Sequence, residues 1–538
     1  MDHLEKSKRS QNDPPISDRE SNDVSNDRDD IQLRPRGTGT RAIQVCATAA
    51  LGGYLYGFSV NSMSGTLAQT SFKNLFLTTS NASSLMDGLL ACFMGGAFIG
   101  AVVQAPVSNK WGRRKANLAA ALVSTVAGVL QSSSYRIEML LVGRVICGIG
   151  GGMVIANSPV YMSEVAPPHT RGLLVGFQGI AIGCAYATSS VCALIFSFVK
   201  SPVQWRLIYI VQTAIAVVFA LSIIFLPESP RWLMEKSKEE QAIKELERLH
   251  RTQSDANGAL VRAEAIQIKS QVEAERHLPK GYISIFKTRP LRKRALCSIL
   301  LWVMGQGTGI TAIANLFPVL MGRLGFDDTL QLGLACAWTG VVIFGCVVNV
   351  SLIDRIGRVR LLGETSIKIP EFSSTNKLDR VIGGVINAAA LAIMTGLMKY
   401  YLSSTYHPGI NAIVAFYFIF AFAFASMIDC TSYAYGSEIW PTYLRSEGST
   451  IIFASFFANS LAYNAPINQA LDNIGWKYYL VFVTVTVVST ALIAVYFPET
   501  KNLTLEEISA KFGDDVAVNF KDAMAAELQE RPSNGNKM

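Results

Sequence analysis

Two acid–base pairs with identical spacing occur in the two halves of this 538-residue chain. Glu164 is followed seven residues later by Arg171, and Glu438 is followed at the same separation by Arg445. A guanidinium and a carboxylate form a two-point, charge-assisted hydrogen bond of fixed geometry. The duplicated spacing favours a latch that ties helix ends together. The alternative is that these charges reflect only the orientation of the helices in the membrane, because basic residues flank most cytoplasmic helix ends.

Further charges recur in corresponding places of the two halves. Arg113 and Arg114 follow the second apolar run of the chain, and Asp354, Arg355 and Arg358 follow the eighth. Such internal repetition is typical of proteins built from two structural repeats. The sequence therefore predicts two parallel halves whose acid and base side chains meet at the same face and tie the halves together.

One carboxylate lies inside an apolar run. Asp429 has no other acidic or basic residue between Asn411 and Ser437. A charged group within a bilayer is costly and usually faces a cavity. Tyr433 follows four residues later and hence shares its helix face. Asp429 is a candidate proton site; a structural aspartate that caps a kink or bonds a neighbouring hydroxyl is the alternative.

Long apolar segments must position these residues. Half of the residues are hydrophobic and only 16% are charged, which excludes a soluble domain with roughly 25% charged residues. A membrane-spanning helix needs about 20 apolar residues. The chain contains twelve apolar runs, which predict an all-α membrane protein of two six-helix bundles: 42–63, 84–106, 117–134, 139–161, 173–198, 206–226, 296–320, 329–353, 381–401, 410–436, 447–470 and 478–497.

The basic residues predict the orientation of the chain. They cluster in the links after even-numbered runs, which the positive-inside rule assigns to the cytoplasm together with both termini. The predicted parts are a disordered tail (1–40), an N-terminal bundle (41–233), a linker with short helices (234–294), a C-terminal bundle (295–500) and a cytoplasmic tail (501–538). The polar stretch 363–380 is either an inserted loop or an error in the gene structure.

Other classes of function lack the residues that they need. The net charge of +8 is distributed in short clusters between apolar runs, so it does not indicate nucleic-acid binding. The nine cysteines lie in apolar runs without metal-ligand spacing, and we expect free thiols. The sequence has no Ser-His-Asp, metal-ligand or phosphate-cradling pattern. We therefore expect neither an enzyme nor a cofactor or metal site.

The chain resembles the sugar porters of the major facilitator superfamily, in particular those of fungi, over about residues 42–510. The motifs that carry the resemblance are Gly112-Arg113-Arg114-Lys115, Gly143-Arg144, Pro159-Val160-Tyr161 with Glu164 and Arg171, Pro227-Glu228-Ser229-Pro230-Arg231, Asp354 to Arg358, Glu438 to Arg445, and Pro498-Glu499-Thr500-Lys501. The resemblance implies alternating access by two six-helix bundles. It also implies that the charges of the duplicated motifs, Asp354 included, lock the outward-open state.

The same resemblance marks the solute-binding positions, where this sequence departs from the family. Gln306, Thr311 and Gln178 stand at or beside family sugar-binding positions, Tyr433 replaces a tryptophan, and Ser59 replaces the proton-linked acid. An Asn-Trp pair of the family is Phe456-Phe457 here. These changes predict a larger and less polar cavity.

The leading functional hypothesis is facilitated diffusion of a sugar or sugar-like polar solute, because the hydroxyl of Ser59 cannot cycle a proton charge. The alternatives are proton symport through Asp429, export of a secondary metabolite, and a non-transporting nutrient sensor. We expect a monomer in a lipid bilayer, in the plasma membrane, with a small-molecule solute as its partner.

Overall fold

The computed structural model describes residues 39–78, 81–167, 170–250, 259–278, 281–363, 383–402, 404, 406–501, 503 and 505–513. The predictions for most of the two tails and for the polar stretch after Gly363, as far as residue 380, fall on residues that the structure does not describe.

Seven helices form the N-terminal half. Six of them contain the first six apolar runs, and the short second helix follows the first run. Their bounds are α1 (Thr40–Ala68), α2 (Thr70–Phe76), α3 (Ala82–Trp111), α4 (Arg113–Ser132), α5 (Ile137–Val165), α6 (Arg171–Ser197) and α7 (Arg206–Ile224).

Glycines let α3 and α5 pack with their backbones in contact. A Cβ atom added to Gly96 would stand 2.2 Å from the carbonyl oxygen of Val145, and one added to Gly152 would stand 2.1 Å from that of Ala97. Small residues four positions apart, such as Gly96 and Gly100, are typical of closely packed membrane helices. This packing brings together the helix ends beside Arg113 and Glu164.

Four shorter helices connect the halves: α8 (Pro230–Glu235), α9 (Glu239–His250), α10 (Ala259–Glu275) and α11 (Tyr282–Ile285). The side chain of Ser229 caps α8 by accepting a hydrogen bond from the backbone N–H of Trp232, as is typical of an N-cap serine. Leu233, Leu246 and Val261 belong to a small apolar core that α8, α9 and α10 share.

The C-terminal half repeats the arrangement with two interrupted helices. A break separates α12 from α13, and a π-helical turn (Ala425–Asp429) separates α17 from α18. The bounds are α12 (Arg289–Gly307), α13 (Ile310–Arg323), α14 (Asp328–Ile356), α15 (Arg358–Gly363), α16 (Gly383–Tyr401), α17 (His407–Phe424), α18 (Cys430–Glu438), α19 (Arg445–Asn464), α20 (Ile467–Ile474), α21 (Tyr478–Tyr496) and α22 (Leu505–Phe512).

The helices account for twelve membrane spans. Within the described ranges, 9 helical stretches are long and apolar enough to cross a membrane, and the stretch Arg445–Tyr496 contains both α19 and α21. The helices α4 and α16, which fill the third place in each half, complete the twelve. The predicted all-α membrane fold is confirmed.

Candidate transport pathway and its gates

A buried ion pair joins helix ends in the N-terminal half. Arg113 donates from Nε and Nη2 to the two carboxylate oxygens of Glu164, at 2.9 and 3.1 Å. The Ser229 hydroxyl also donates to Glu164, at 2.6 Å. The side chains of Arg113 and Glu164 are only 4% and 0% exposed. The contacts therefore fix the start of α4 and the end of α5 to the segment that leads into α8.

A second carboxylate completes this group, which we call the N-cluster (Arg113, Glu164, Glu228 and Ser229). Glu228 accepts hydrogen bonds from the backbone N–H groups of Arg113 and Arg114, at 2.9 and 3.2 Å. It thus caps the N-terminus of α4, where negative charge is favourable. Gly112 precedes the cap with φ 97° and ψ 163°, a conformation that is essentially restricted to glycine.

The C-terminal half contains the equivalent C-cluster (Arg358, Glu438, Glu499 and Thr500). Arg358 Nη2 and the Thr500 hydroxyl each donate to Glu438 at 3.1 Å. Glu499 accepts from the backbone N–H of Arg358 at 3.0 Å, and Gly357 before it has φ 115°. The two clusters lie at the same end of the molecule, which we call the latch end.

The ion pairs of the two clusters, Arg113–Glu164 and Arg358–Glu438, each lie within one half, whereas the sequence predicted ties between the halves. The reason is the repeat itself, because each half contains its own arginine and its own acid. Between the halves, Arg445 lies close enough to Glu164, and Arg171 to Glu438, for their opposite charges to attract.

Direct hydrogen bonds across the latch end involve other residues. Asn109 Nδ2 donates to Glu447 Oε1 at 3.0 Å, and the Thr450 hydroxyl donates to the carbonyl oxygen of Ala101 at 3.0 Å. These bonds join the end of α3 to the start of α19. The latch end is therefore closed in this structure.

Two other predicted gating residues, Arg114 and Arg355, lie outside the ion pairs of the two clusters. Arg114 donates to the carbonyl oxygen of Ile224 at the end of α7. Arg355 has an exposed side chain, and its carbonyl oxygen accepts from Lys501 at 2.6 Å. The side chain of Asp354 lies outside the described residues.

Two of the predicted solute-binding residues flank the break between α12 and α13. Gln306 lies in the last turn of α12, and Thr311 lies in the first turn of α13. Between them Gly309 has φ 77°. Interrupted helices are a common location of transporter binding sites. The Oε1 atom of Gln306 is buried and has no hydrogen-bond partner among the described residues.

Gln178 stands on α6 in the opposite half. Its side chain is fully buried against Gly53 of α1. In the part of the chain that the structure describes, neither Oε1 nor Nε2 of Gln178 has a hydrogen-bond partner. The two halves therefore each contribute a buried amide with unused hydrogen-bonding capacity.

Aromatic side chains surround Tyr433. Its ring lies 5.3 Å from that of Trp302, and Trp302 lies 4.7 Å from Phe456. Phe457 and Tyr56 extend this group across the two halves, with their ring centroids 6.0 Å apart. Phe456 packs against Trp302 and Phe457 packs against Tyr56, so apolar rings fill the space beside Tyr433.

Ser59 is bonded within its own helix. Its hydroxyl donates to the carbonyl oxygen of Leu55 at 2.8 Å. Its own carbonyl oxygen accepts from Arg144 Nη1 at 3.0 Å. Arg144 is 1% exposed and stacks on Phe93. The serine therefore offers no charge to this buried cation.

Asp429 ends the π-helical turn between α17 and α18. Its Oδ2 atom accepts a weak hydrogen bond from Cys346 Sγ at 3.5 Å. Such π-helical turns are frequent at functional sites. The carboxylate has no arginine or lysine partner within the described residues.

The sequence did not identify three important acids as candidate site residues. Glu228 and Glu499 were recognised only as parts of motifs, although the recurrence of Pro-Glu-Ser and Pro-Glu-Thr was a signal for their shared role. Asp87 on α3 was missed altogether. It is 3% exposed and accepts a 2.8 Å hydrogen bond from Asn468 at the end of the molecule opposite the latch end.

Comparison with known families decides the class of the protein. The family described as "Sugar (and other) transporter" matches residues 45–512. The chain belongs to this family. It is therefore a transporter of the sugar porter type, as the motifs predicted, and the alternating-access architecture of two six-helix halves agrees with that assignment.

Similar proteins include fungal and bacterial transporters. The chain is 28% identical to "MFS-type transporter criB" of Aspergillus cristatus over 88% of this chain and 93% of that protein. It is 25% identical to a "High-affinity glucose transporter" of Kluyveromyces lactis, over 87% and 84%. It is 27% identical to an "Arabinose-proton symporter" of Bacillus subtilis, over 89% and 97%.

Solved structures share the fold. The proton:xylose symporter XylE bound to 6-bromo-6-deoxy-D-glucose has a TM-score of 0.75 at 21% identity, covering 88% of this chain and all of that chain. The inward-open form of XylE from E. coli has a TM-score of 0.64 at 22% identity, covering 87% and 99%.

Proposed function

We propose that this transporter moves a sugar or a sugar-like polar organic solute by facilitated diffusion, as a monomer in the plasma membrane with both termini in the cytoplasm. The names of relatives that carry glucose and arabinose support a sugar. These relatives do not favour a metabolite exporter or a nutrient sensor.

The observation that carries the substrate proposal is the pair of buried amides, Gln178 and Gln306, on opposite halves. A buried polar group without a partner costs about 1–3 kcal/mol. An amide both donates and accepts hydrogen bonds, and so does a sugar hydroxyl. A bound polyol would satisfy both amides and thereby bridge the halves.

Three further side chains are proposed to shape the site. Tyr433 provides a ring and a hydroxyl, Thr311 provides a hydroxyl beside the helix break, and Ser59 lies on the facing α1. Tyr433 and Thr311 retain 5% and 9% exposure inside the protein, so limited rearrangement would bring them against a solute.

The residue at position 59 supports the proposal of facilitated diffusion. The Ser59 hydroxyl is occupied by Leu55 and cannot cycle a charge, so it leaves Arg144 without a carboxylate at that position. Asp429 remains the runner-up as a proton carrier, because its one hydrogen-bond donor among the described residues is the weak donor Cys346.

Uptake of labelled sugars into vesicles that contain the purified protein tests the substrate site. Gln306→Ala and Gln178→Ala should each raise the apparent KM about tenfold, since a lost hydrogen bond of this kind is worth about 1–2 kcal/mol. Gln331→Ala is the matched control, because that buried amide, in the first turn of α14, donates to the carbonyl oxygen of Phe326 in the preceding loop. Unchanged KM in both test variants would contradict the proposed site.

The same vesicles test the coupling. An imposed pH gradient without a sugar gradient should drive no accumulation in the unmodified protein. Accumulation that disappears in Asp429→Asn would overturn the facilitator proposal in favour of symport. Sugar that equilibrates independently of the pH gradient in both proteins would support facilitated diffusion.

A further inference from the structure

Asp87 forms its hydrogen bonds with the other half of the molecule. Its Oδ1 atom accepts from the backbone N–H of Asn468 at 3.1 Å and from Asn468 Nδ2 at 2.8 Å. Its Oδ2 atom accepts from the backbone N–H of Gln469 at 3.3 Å. Asp87 belongs to α3 of the N-terminal half, whereas Asn468 and Gln469 belong to α20 of the C-terminal half.

These bonds cap the N-terminus of α20. The helix begins at Ile467 after Pro466, and no side chain from its own segment caps it. The first N–H groups of a helix have no partner within the helix, and a carboxylate there also interacts favourably with the helix dipole. Asp87 therefore does for α20 what an N-cap residue normally does, but from the opposite half.

Its connection to α19 places α20 with the C-terminal half, because only Ala465 and Pro466 separate the two helices. Arg323 at the end of α13 donates to Asp472 of α20 at 2.9 Å. When the halves separate at this end, α20 will consequently move with α13 and away from Asp87. The carboxylate cannot keep its bonds in a state that is open there.

The bonds of Asp87 are protected from water, unlike their neighbours. Asp87 is 3% exposed and Asn468 is fully buried. The surrounding contacts between the halves, Ser83 with Asp472 and Lys73 with Asp328, are exposed. Exposed pairs contribute little because water and salt compete with them, whereas hydrogen bonds to a buried charge are stronger.

We propose that Asp87 is the gating residue of the end opposite the latch, which closes that end of the pathway by capping α20 across the two halves. This inference rests on the alternating-access mechanism of the proposed function. The charge pattern predicts that this end faces the outside of the cell.

Accessibility of a reporter cysteine tests the proposal without measuring transport. Ser64 on α1 is 4% exposed and donates to the carbonyl oxygen of Ala314 in the other half at 3.3 Å. In a Ser64→Cys protein, we would measure labelling by a membrane-impermeant thiol reagent added to each side of the vesicles in turn. The same protein without Ser64→Cys gives the background from the natural cysteines.

Asp87→Ala should raise the labelling rate of the reporter about tenfold, because hydrogen bonds to a charged group are worth about 1.5 kcal/mol or more. The rise should occur only when the reagent is added on the side of the membrane nearest Asp87. Asn468→Ala retains the carboxylate but removes its shortest donor, so it should give a smaller rise. It also serves as the test if Asp87→Ala does not fold. The matched control is Asp327→Asn, since Asp327 caps α14 within its own half by accepting from Leu330.

An unchanged labelling rate in both Asp87→Ala and Asn468→Ala would overturn the proposal. An equal rise in Asp327→Asn, or a rise from both sides, would also overturn it, because either result indicates general loosening. A failure of the proposed sugar site would appear instead as unchanged KM values in uptake and would leave this labelling result standing.

Discussion

The N-cluster and the C-cluster contain equivalent residues but differ in geometry. Glu164 receives two hydrogen bonds from Arg113 and one of 2.6 Å from Ser229. Within the described residues, Glu438 receives one hydrogen bond of 3.1 Å from Arg358, whose side chain is 7% exposed beside a Glu438 side chain that is 10% exposed. The sequence repeat therefore duplicates the residues but not the geometry of the pair.

The neighbours of the clusters explain the difference. The linker helices pack beside the N-cluster, where His250 of α9 bonds both the carbonyl oxygen of Val165 at 2.8 Å and Glu264 of α10 at 2.9 Å. Among the described residues, the short α22 lies beside the C-cluster, where Lys511 donates to the carbonyl oxygen of Glu499 at 3.0 Å. We infer that the N-cluster is the more rigid of the two, and that the C-cluster yields more readily when the latch end opens.

The largest difference is expected when the central acids are neutralised. Glu164→Gln should destabilise the protein by about 3–5 kcal/mol, because it leaves the buried Arg113 without its counter-ion. Glu438→Gln should cost less, since its ion pair is more exposed. Thermal unfolding of the purified proteins measures both, with Glu138→Gln, an exposed residue at the other end of α5, as the control. Equal losses would contradict the proposed difference in rigidity.

The glycines before the two arginines provide a second comparison. Gly112→Ala and Gly357→Ala each force alanine into a backbone region that costs about 1–3 kcal/mol. A Cβ atom would stand 2.3 Å from a Glu228 oxygen at Gly112, but 2.9 Å from a Glu499 oxygen at Gly357. Gly112→Ala should therefore lower the unfolding temperature more, and the reverse order would refute this reading of the caps.

The hydroxyl donors should show the same order with smaller effects. Ser229→Ala removes both a 2.6 Å hydrogen bond to Glu164 and the N-cap of α8, and should cost about 2–3 kcal/mol. Thr500→Ala removes a 3.1 Å bond to Glu438 and should cost less. The same unfolding measurements apply, and Ser222→Ala, whose hydroxyl bonds only the carbonyl of Val218 on α7, gives the baseline.

The smallest expected effect is a pH dependence of linker docking. Burial disfavours a charged His250, but Glu264 and the Val165 carbonyl outweigh it and raise its pKa above the usual 6.5; Arg171 acts in the opposite direction. Burial likewise disfavours a charged Glu264, but His250, Arg231 and Arg171 lower its pKa below the usual 4.5.

The directions of these shifts set the pH window. The contribution of His250 is complete below pH 6.5 and is lost as the pH rises through its raised pKa, whereas that of Glu264 is complete above pH 4.5 and is lost on acidification. Proteolysis of the linker should thus be slowest between these pH values. It should be faster by several-fold at pH 9, as expected if the His250–Glu264 contact stabilises the docked linker by about 1 kcal/mol. His250→Gln should abolish the alkaline change; a flat profile in the unmodified protein would exclude this role.

The sequence predicted the spans and the charged residues, but not all of their partners. Apolar length and basic clusters depend on local composition, so the twelve helices and the recurrence of Glu164 and Glu438 were visible. Asp87 bonds backbone N–H groups of α20, which lies 381 residues further along the chain, and no side-chain pattern encodes such a contact. The π-helical turn that places Asp429 likewise depends on packing rather than on residue type.

The central claim is alternating access through a latch end that must open. A cross-link between the halves tests this claim most directly. Asn109 and Glu447 meet across that end at 3.0 Å, so Asn109→Cys/Glu447→Cys, joined by a short reducible thiol cross-linker, would hold it closed. Sugar uptake into vesicles should stop after cross-linking and return after reduction, while each single variant treated identically should continue to transport. Uptake that persists in the fully cross-linked double variant would contradict the account.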